Sequence, residues 1–210
     1  ARFIERARNP VTTGWTKIDK ITKGGLGQGE LVVVVAPTGA GKSHVLVHLG
    51  AQALKQGKNV VHFTLELADT SVAQRYDACL TGIPLDELIN QKDEVYDVIK
   101  DIDGQLIVKE FPTKSASTVT LKNHLEKIRQ TEMEIDMVVV DYGDLLKSST
   151  VRKNSEKRHE LESIYEELRG LGQEFGCPIV TASQTNRKGL NEEVITMESI
   201  SEAFNKCFVA

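Results

Sequence analysis

The chain lacks most of what marks an extracellular, membrane-bound or repetitive protein. It has only three cysteines, Cys79, Cys177 and Cys207, far apart and never in a Cys-x-x-Cys pair. That spacing argues against a disulfide framework or a thiolate metal site and points to a reducing compartment, read as cytoplasmic. No apolar run exceeds the six residues 31–36, too few to cross a bilayer, so no membrane association is expected. No signal-peptide pattern opens the chain. Internal repeats, low-complexity tracts and linkers rich in Pro, Gly or Ser are missing as well. Positive charge is not in excess either: the formal net charge is −4. This argues against a protein that coats nucleic acid with its whole surface, though not against a local basic patch.

What remains is ordinary globular composition, 40% hydrophobic and 27% charged over 210 residues, enough for one domain and short for two. The chain starts at Ala1 and stops at Ala210, directly after Phe208-Val209. Both ends read as cut, so it is expected to be a piece of a longer protein.

Short β-branched runs alternate with helical patterns. Residues 31–36, Leu-Val-Val-Val-Val-Ala, are too short for a helix and apolar on both faces, as a buried parallel strand requires. Similar runs cover 60–65, 106–109, 136–141 and 178–183. Helices are expected over 42–56, after Asp69 as N-cap, over 119–131 capped by Ser117 or Thr118, and over 155–175 with Leu161, Ile164, Leu168 and Leu171 on one stripe. Residues 86–103 hold seven acids against two bases and read as a solvated helical insertion. The fold class is therefore α/β, a mainly parallel sheet flanked by helices on both faces, with its chemistry at the carboxyl ends of the strands.

The first strand runs into Ala36-Pro37-Thr38-Gly39-Ala40-Gly41-Lys42-Ser43. This fits the phosphate-loop pattern G-x-x-x-x-G-K-[ST] at every position but the first. Gly39 and Gly41 let backbone N–H groups turn inward around a phosphate, and the helix that follows adds its N-terminal dipole. Lys42 is placed to reach the β- and γ-phosphates, and Ser43 to ligate Mg²⁺. The alternative is a glycine-rich turn that binds nothing; strand, loop and helix in register favour a nucleoside triphosphate. Asp141 closes the strand Met137-Val-Val-Val-Asp141 as a Walker B carboxylate facing the metal. Glu66 ends the second strand and is a candidate for activating water, or a solvated strand-end glutamate. Gln184 ends the last strand and is a candidate γ-phosphate sensor, or a plain polar strand end. His44 and His48 stand i, i+4 without further ligands, so helix packing is the reading rather than a metal pair.

These ordered motifs together resemble the RecA-like ATPase core of DnaB-like replicative helicases. The resemblance rests on Thr13-Gly14-Trp15-Thr16-Lys17-Ile18-Asp19 ahead of the first strand and on a phosphate loop beginning with Ala36. It continues in Thr64-Leu65-Glu66-Leu67, Asp141-Tyr142-Gly143-Asp144-Leu145 and Ser183-Gln184-Thr185-Asn186-Arg187. It implies residues 16–210 as a RecA-like P-loop core, with residues 1–15, including Phe3-Ile4 among Arg2, Arg6 and Arg8, as a linker or subunit-docking segment. Further implications are ATP and Mg²⁺ as cofactors, Glu66 as catalytic base, Gln184 as coupling residue, and a homo-oligomer, a hexamer in the full-length protein. Single-stranded DNA, primase and a helicase loader are the implied partners.

The resemblance also assigns the two loops after the Walker B and glutamine strands to single-stranded DNA. The first, residues 147–158, carries Lys147, Arg152, Lys153, Lys157 and Arg158 against one acid; the second, 185–193, carries Arg187 and Lys188 beside Asn186 and Asn191. Such groups grip phosphates without reading bases, and neither loop has an aromatic residue for stacking. The chain departs from the family pattern in three places. Gly143-Asp144 replaces the usual Leu-Gln, no primase-meeting domain is present, and no residue matches the basic finger that reaches a neighbour's ATP. The isolated fragment is therefore expected to hydrolyse ATP poorly. Two rival readings share the core: a RecA-type recombinase, and a regulatory ATPase of the circadian-clock kind. The clock kind tends to carry paired glutamates, where this chain has Glu66-Leu67.

Overall fold

Five apolar segments pair into one sheet: β1 (Leu31–Ala36), β2 (Val60–Thr64), β3 (Leu106–Glu110), β4 (Met137–Asp141) and β5 (Ile179–Gln184). The computed structural model describes residues 8–113, 115–148 and 157–184, the first two residues of the last segment by backbone alone. The strand order is β1-β5-β4-β2-β3, and every neighbouring pair is parallel. All of β2 and β4 is buried, which is why both read as continuous β-branched runs rather than alternating ones. The α/β class and the parallel sheet expected from the sequence are what the structure has.

Helices cover the two faces. On one lie α2 (Lys42–Lys55) and α3 (Asp69–Thr81), whose Leu46, Leu49, Val72 and Tyr76 pack with Val139 and Val180. On the other lie α5 (Thr118–Arg129) and α6 (Lys157–Phe175), whose Leu121, Leu125, Ile164 and Leu168 pack with Phe63, Val138 and Val140. The stripe anticipated on α6 is buried at all four positions. Ser117 caps α5 in a box closed by Thr120, which satisfies two otherwise orphan N–H groups. Asp69, expected as the N-cap of α3, is instead its first helical residue. Ala68 holds the cap position with extended backbone, while Glu110 Oε2 accepts the Asp69 N–H and Asp69 Oδ1 accepts the Thr70 N–H. The acidic insertion contains α4 (Lys92–Ile99), which buries none of its residues.

A short helix, α1 (Thr16–Ile21), precedes the sheet. Residues 8–15, assigned in the sequence to a linker or docking segment, lie against the core. Val11 and Leu26 form an antiparallel bridge and Thr13 is buried; Arg8 pairs with Glu30. His48 bonds to the Thr13 carbonyl at 2.9 Å and stacks on Trp15, so it packs as expected of a helix histidine. His44 does not: it is exposed and borders the cleft described below. No helix among the described residues is long and apolar enough to cross a membrane.

Beneath the strand ends, His62 of β2 is wholly buried with Nδ1 3.0 Å from Tyr76 Oη. Gly50 makes this possible, because a Cβ there would overlap the Tyr76 hydroxyl. Burial pushes His62 down from 6.5 to about 3, so the folded protein keeps it neutral while the unfolded chain protonates it near pH 6.5. Its contribution to stability is complete above pH 6.5 and falls as pH drops toward 3. From this group alone, stability is expected to fall by about 2 kcal/mol between pH 7 and pH 5. Urea melts of the wild type and His62→Gln at both pH values check this; equal pH losses in the two proteins would rule it out.

Candidate nucleotide site

The phosphate loop owes its shape to two left-handed glycines, Gly39 with φ 80° and Gly41 with φ 89°. A Cβ at either position would meet open space, so backbone conformation, not crowding, calls for glycine. Ala36, the odd position of the pattern, stays in β1 and pairs with Gln184 across the ladder. A residue in extended backbone has no need of glycine, which accounts for the replacement. Lys42 Nζ donates to the carbonyls of Ala36 at 3.1 Å and Pro37 at 2.8 Å, folding the side chain over its own loop. Burial lowers the Lys42 pKa, opposed by the negative charges of Glu66, Asp141 and Asp144.

Ser43 sits in the first turn of α2 with its hydroxyl close to the Asp141 carboxylate. Asp141 is buried, and burial raises its pKa; the nearby Ser43 hydroxyl opposes the shift. Its Oδ2 is buried with no hydrogen-bond partner among the described residues. An orphaned carboxylate oxygen beside a hydroxyl is hard-oxygen chemistry that fits Mg²⁺, so Ser43 and Asp141 are the residues that would hold it.

Glu66 follows β2 on a tight turn. Thr64 Oγ1 donates to the Leu67 carbonyl and accepts the Leu67 N–H, while buried Leu65 anchors the turn and the Leu65 N–H donates to the Asp141 carbonyl at 2.8 Å. Glu66 is thereby left exposed at the cleft. Gln184 Nε2 donates to Tyr142 Oη at 3.1 Å. Thr38, Gly39, Gly41, Lys42, Ser43, Glu66 and Gln184 line one cleft of about 230 Å³.

Arg75 of α3, absent from the sequence-based site, lines the same cleft. It is half-buried, makes no hydrogen bond or ion pair among the described residues, and its charge acts on Asp141. The signal that pointed to it was slight: Arg75 is the sole basic residue of α3, with Val72 and Tyr76 as buried neighbours three residues before and one after.

Of the proposed nucleic-acid contacts, only Lys147 has a described side chain. It is exposed, and its backbone N–H donates to the Ala116 carbonyl at 3.0 Å, fixing the root of the first loop. Lys157 and Arg158 start α6 and are described by backbone alone; Arg152, Lys153, Arg187 and Lys188 lie outside the described residues. So do Asn186 and Asn191, and Phe3-Ile4 with Arg2 and Arg6.

Comparison with known proteins agrees with this geometry. The family model "DnaB-like helicase C terminal domain" matches residues 10–194. A DnaB-like replicative helicase of Enterobacteria phage T4 is 30% identical over 196 residues, covering 89% of this chain and 41% of that protein. The replicative DNA helicase DnaB of Mycoplasma genitalium is 26% identical over 187 residues, covering 85% and 39%. The chain thus spans about two-fifths of the length of these relatives. Among solved structures, a DnaB-like replicative helicase, determined in a study of its interactions with primase, gives a TM-score of 0.78 at 14% identity, covering 93% of this chain and 50% of that one. A second solved structure, an ATPase domain, superposes with a TM-score of 0.80 at 14% identity, covering 96% and 74%. At that identity the solved structures speak for the fold, while the family model spans most of the sequence: the chain belongs to the DnaB-like helicase C-terminal domain family.

Proposed function

We propose that this chain is the ATPase motor of a ring-forming DNA helicase, which hydrolyses ATP to move along single-stranded DNA and unwind duplex. The observation that carries the reading is the convergence of Lys42, Ser43, Glu66, Arg75 and Gln184 on one cleft at the carboxyl ends of β1, β2 and β5, with Asp141 buried beside it. Gly39, Gly41 and the start of α2 cradle the phosphates of ATP. Ala36, Pro37, Thr38 and Ala40 complete the loop. Lys42 leaves its two carbonyls for the β- and γ-phosphates. Bound Mg²⁺ supplies charge neutralisation of the phosphates. Glu66 orients water and accepts its proton, Gln184 couples the γ-phosphate to the loop beyond β5, and Arg75 supplies a second cation to the terminal phosphate.

Lys147, Arg152, Lys153, Lys157, Arg158, Arg187 and Lys188 are the proposed contacts to DNA phosphates. Residues 1–15 are the proposed docking segment and 16–210 the motor core, in a homo-oligomer, a hexamer when full-length, with primase and a loader as partners in the cytoplasm. The test uses the full-length protein. ATP hydrolysis is expected to rise on adding single-stranded DNA, and the combined Lys153→Ala, Lys157→Ala and Arg158→Ala substitutions are expected to weaken strand binding by ~10-fold or more and to flatten its salt dependence. ATP affinity should be unchanged. An assembled oligomer whose ATPase ignores single-stranded DNA would instead favour the regulatory reading.

A further inference from the structure

Asp144 is a carboxylate at the strand ends that the proposed hydrolysis leaves without a task. It lies in the short 3₁₀ turn Gly143–Leu145, three residues after Asp141. Tyr165 Oη donates to its Oδ1 at 2.7 Å and Ser183 Oγ to its Oδ2 at 3.1 Å. Both donors come from buried residues, Tyr165 on α6 and Ser183 immediately before Gln184 on β5. The turn is joined to β5 at a second point: the Gly143 N–H donates to Thr181 Oγ1 at 2.8 Å, and that hydroxyl donates to the Val140 carbonyl at 2.8 Å. Hydroxyl bonds to a carboxylate are charge-assisted and hold their geometry more firmly than neutral ones.

The partners of α6 extend the connection. Glu167, two residues beyond Tyr165, accepts from Ser148 Oγ at 3.0 Å and from Thr118 Oγ1. Ser148 directly follows Lys147, where the first basic loop begins. One helix therefore holds the residue before Gln184 through Asp144, and the root of the first loop through Glu167. Asp144 itself does not line the nucleotide cleft.

The geometry points to Asp144 as a positioning residue for Gln184. With Tyr165 it clamps Ser183, so that a displacement of Gln184 by the terminal phosphate is passed to α6 and, through Glu167, to Ser148 beside Lys147. The clamp rests on the ATPase reading above and adds to it a route from nucleotide to DNA. Gly143-Asp144 stands where the family pattern has Leu-Gln, so the route belongs to this chain's own residues.

The experiment measures ATP hydrolysis by the full-length protein with and without single-stranded DNA, for the wild type, Asp144→Ala and Tyr165→Phe. Each is also combined with Gln184→Ala. The expected result is a ~10-fold loss of DNA stimulation in each single variant, with basal rate and KM for ATP within ~2-fold of wild type. In the Gln184→Ala background neither substitution should reduce stimulation further, because residues acting through one another are not additive. Tyr165→Phe keeps the buried ring, so it reads the clamp even if Asp144→Ala fails to fold. Unchanged stimulation in Tyr165→Phe overturns the proposal, as do losses that multiply with that of Gln184→Ala. If the wild type itself shows no stimulation, the motor reading fails first, and the two failures are told apart before any variant is assayed.

Discussion

Glu66→Gln is expected to lower the ATP turnover of the full-length protein by ~10²–10⁴-fold while leaving ATP affinity within a few-fold. The amide keeps the size of the side chain and its place on the Thr64–Leu67 turn, and it loses only the ability to take a proton from water. Because Glu66 is exposed at the cleft and has no hydrogen bond or ion pair among the described residues, its loss strands no described buried partner and stability should hardly move. Steady-state ATPase and nucleotide binding, measured on the same preparation, check the result. Turnover within a few-fold of wild type would remove Glu66 from the mechanism and leave the solvated-glutamate reading.

The second large effect concerns the two cations of the cleft. Lys42→Ala is expected to abolish ATP hydrolysis and duplex unwinding together, a loss of ~10³-fold or more in kcat/KM. Without the ammonium, the bridge between the loop carbonyls of Ala36 and Pro37 is lost in the free protein, and in the complex the β- and γ-phosphates lose the cation that the phosphate loop itself supplies. Arg75→Ala, in contrast, leaves the phosphate loop intact, so ATP should still bind while turnover falls by ~10²-fold. Equilibrium binding of a labelled nucleotide separates the two variants. Unwinding that persists in Lys42→Ala would disprove the motor mechanism, and an Arg75→Ala enzyme with wild-type turnover would return Arg75 to a surface role.

The parts of this site that were legible in the sequence share a property. Lys42, Ser43 and Asp141 lie on a strand-loop-helix or at a strand end, where local spacing alone dictates what faces the cleft. By spacing alone Glu66 and Gln184 are only strand-end residues, and their roles rest on the family resemblance, because a strand says where it ends but not which strands lie beside it. The order β1-β5-β4-β2-β3 supplies what was missing. It sets Gln184 beside Ala36 and Thr64 beside Asp141, and those pairings are non-local. Arg75 escapes sequence reading for the same reason: its place at the cleft depends on how α3 packs through Val72 and Tyr76, the latter against Gly50 and His62. The Gly143-Asp144 departure has no meaning in local sequence, because the donors to the carboxylate, Tyr165 and Ser183, lie 21 and 39 residues away.

The pairing of Ala36 with Gln184 has a further consequence. Side chains alternate faces along a strand, so removing one residue from β5 moves every later side chain to the opposite side of the sheet. Gln184 would turn away from the phosphate loop, although Lys42, Ser43, Glu66 and Asp141 all belong to other segments. The strand thus acts as a counting device, in which the number of residues between Ile179 and Gln184 is as much a part of the sensor as the amide itself.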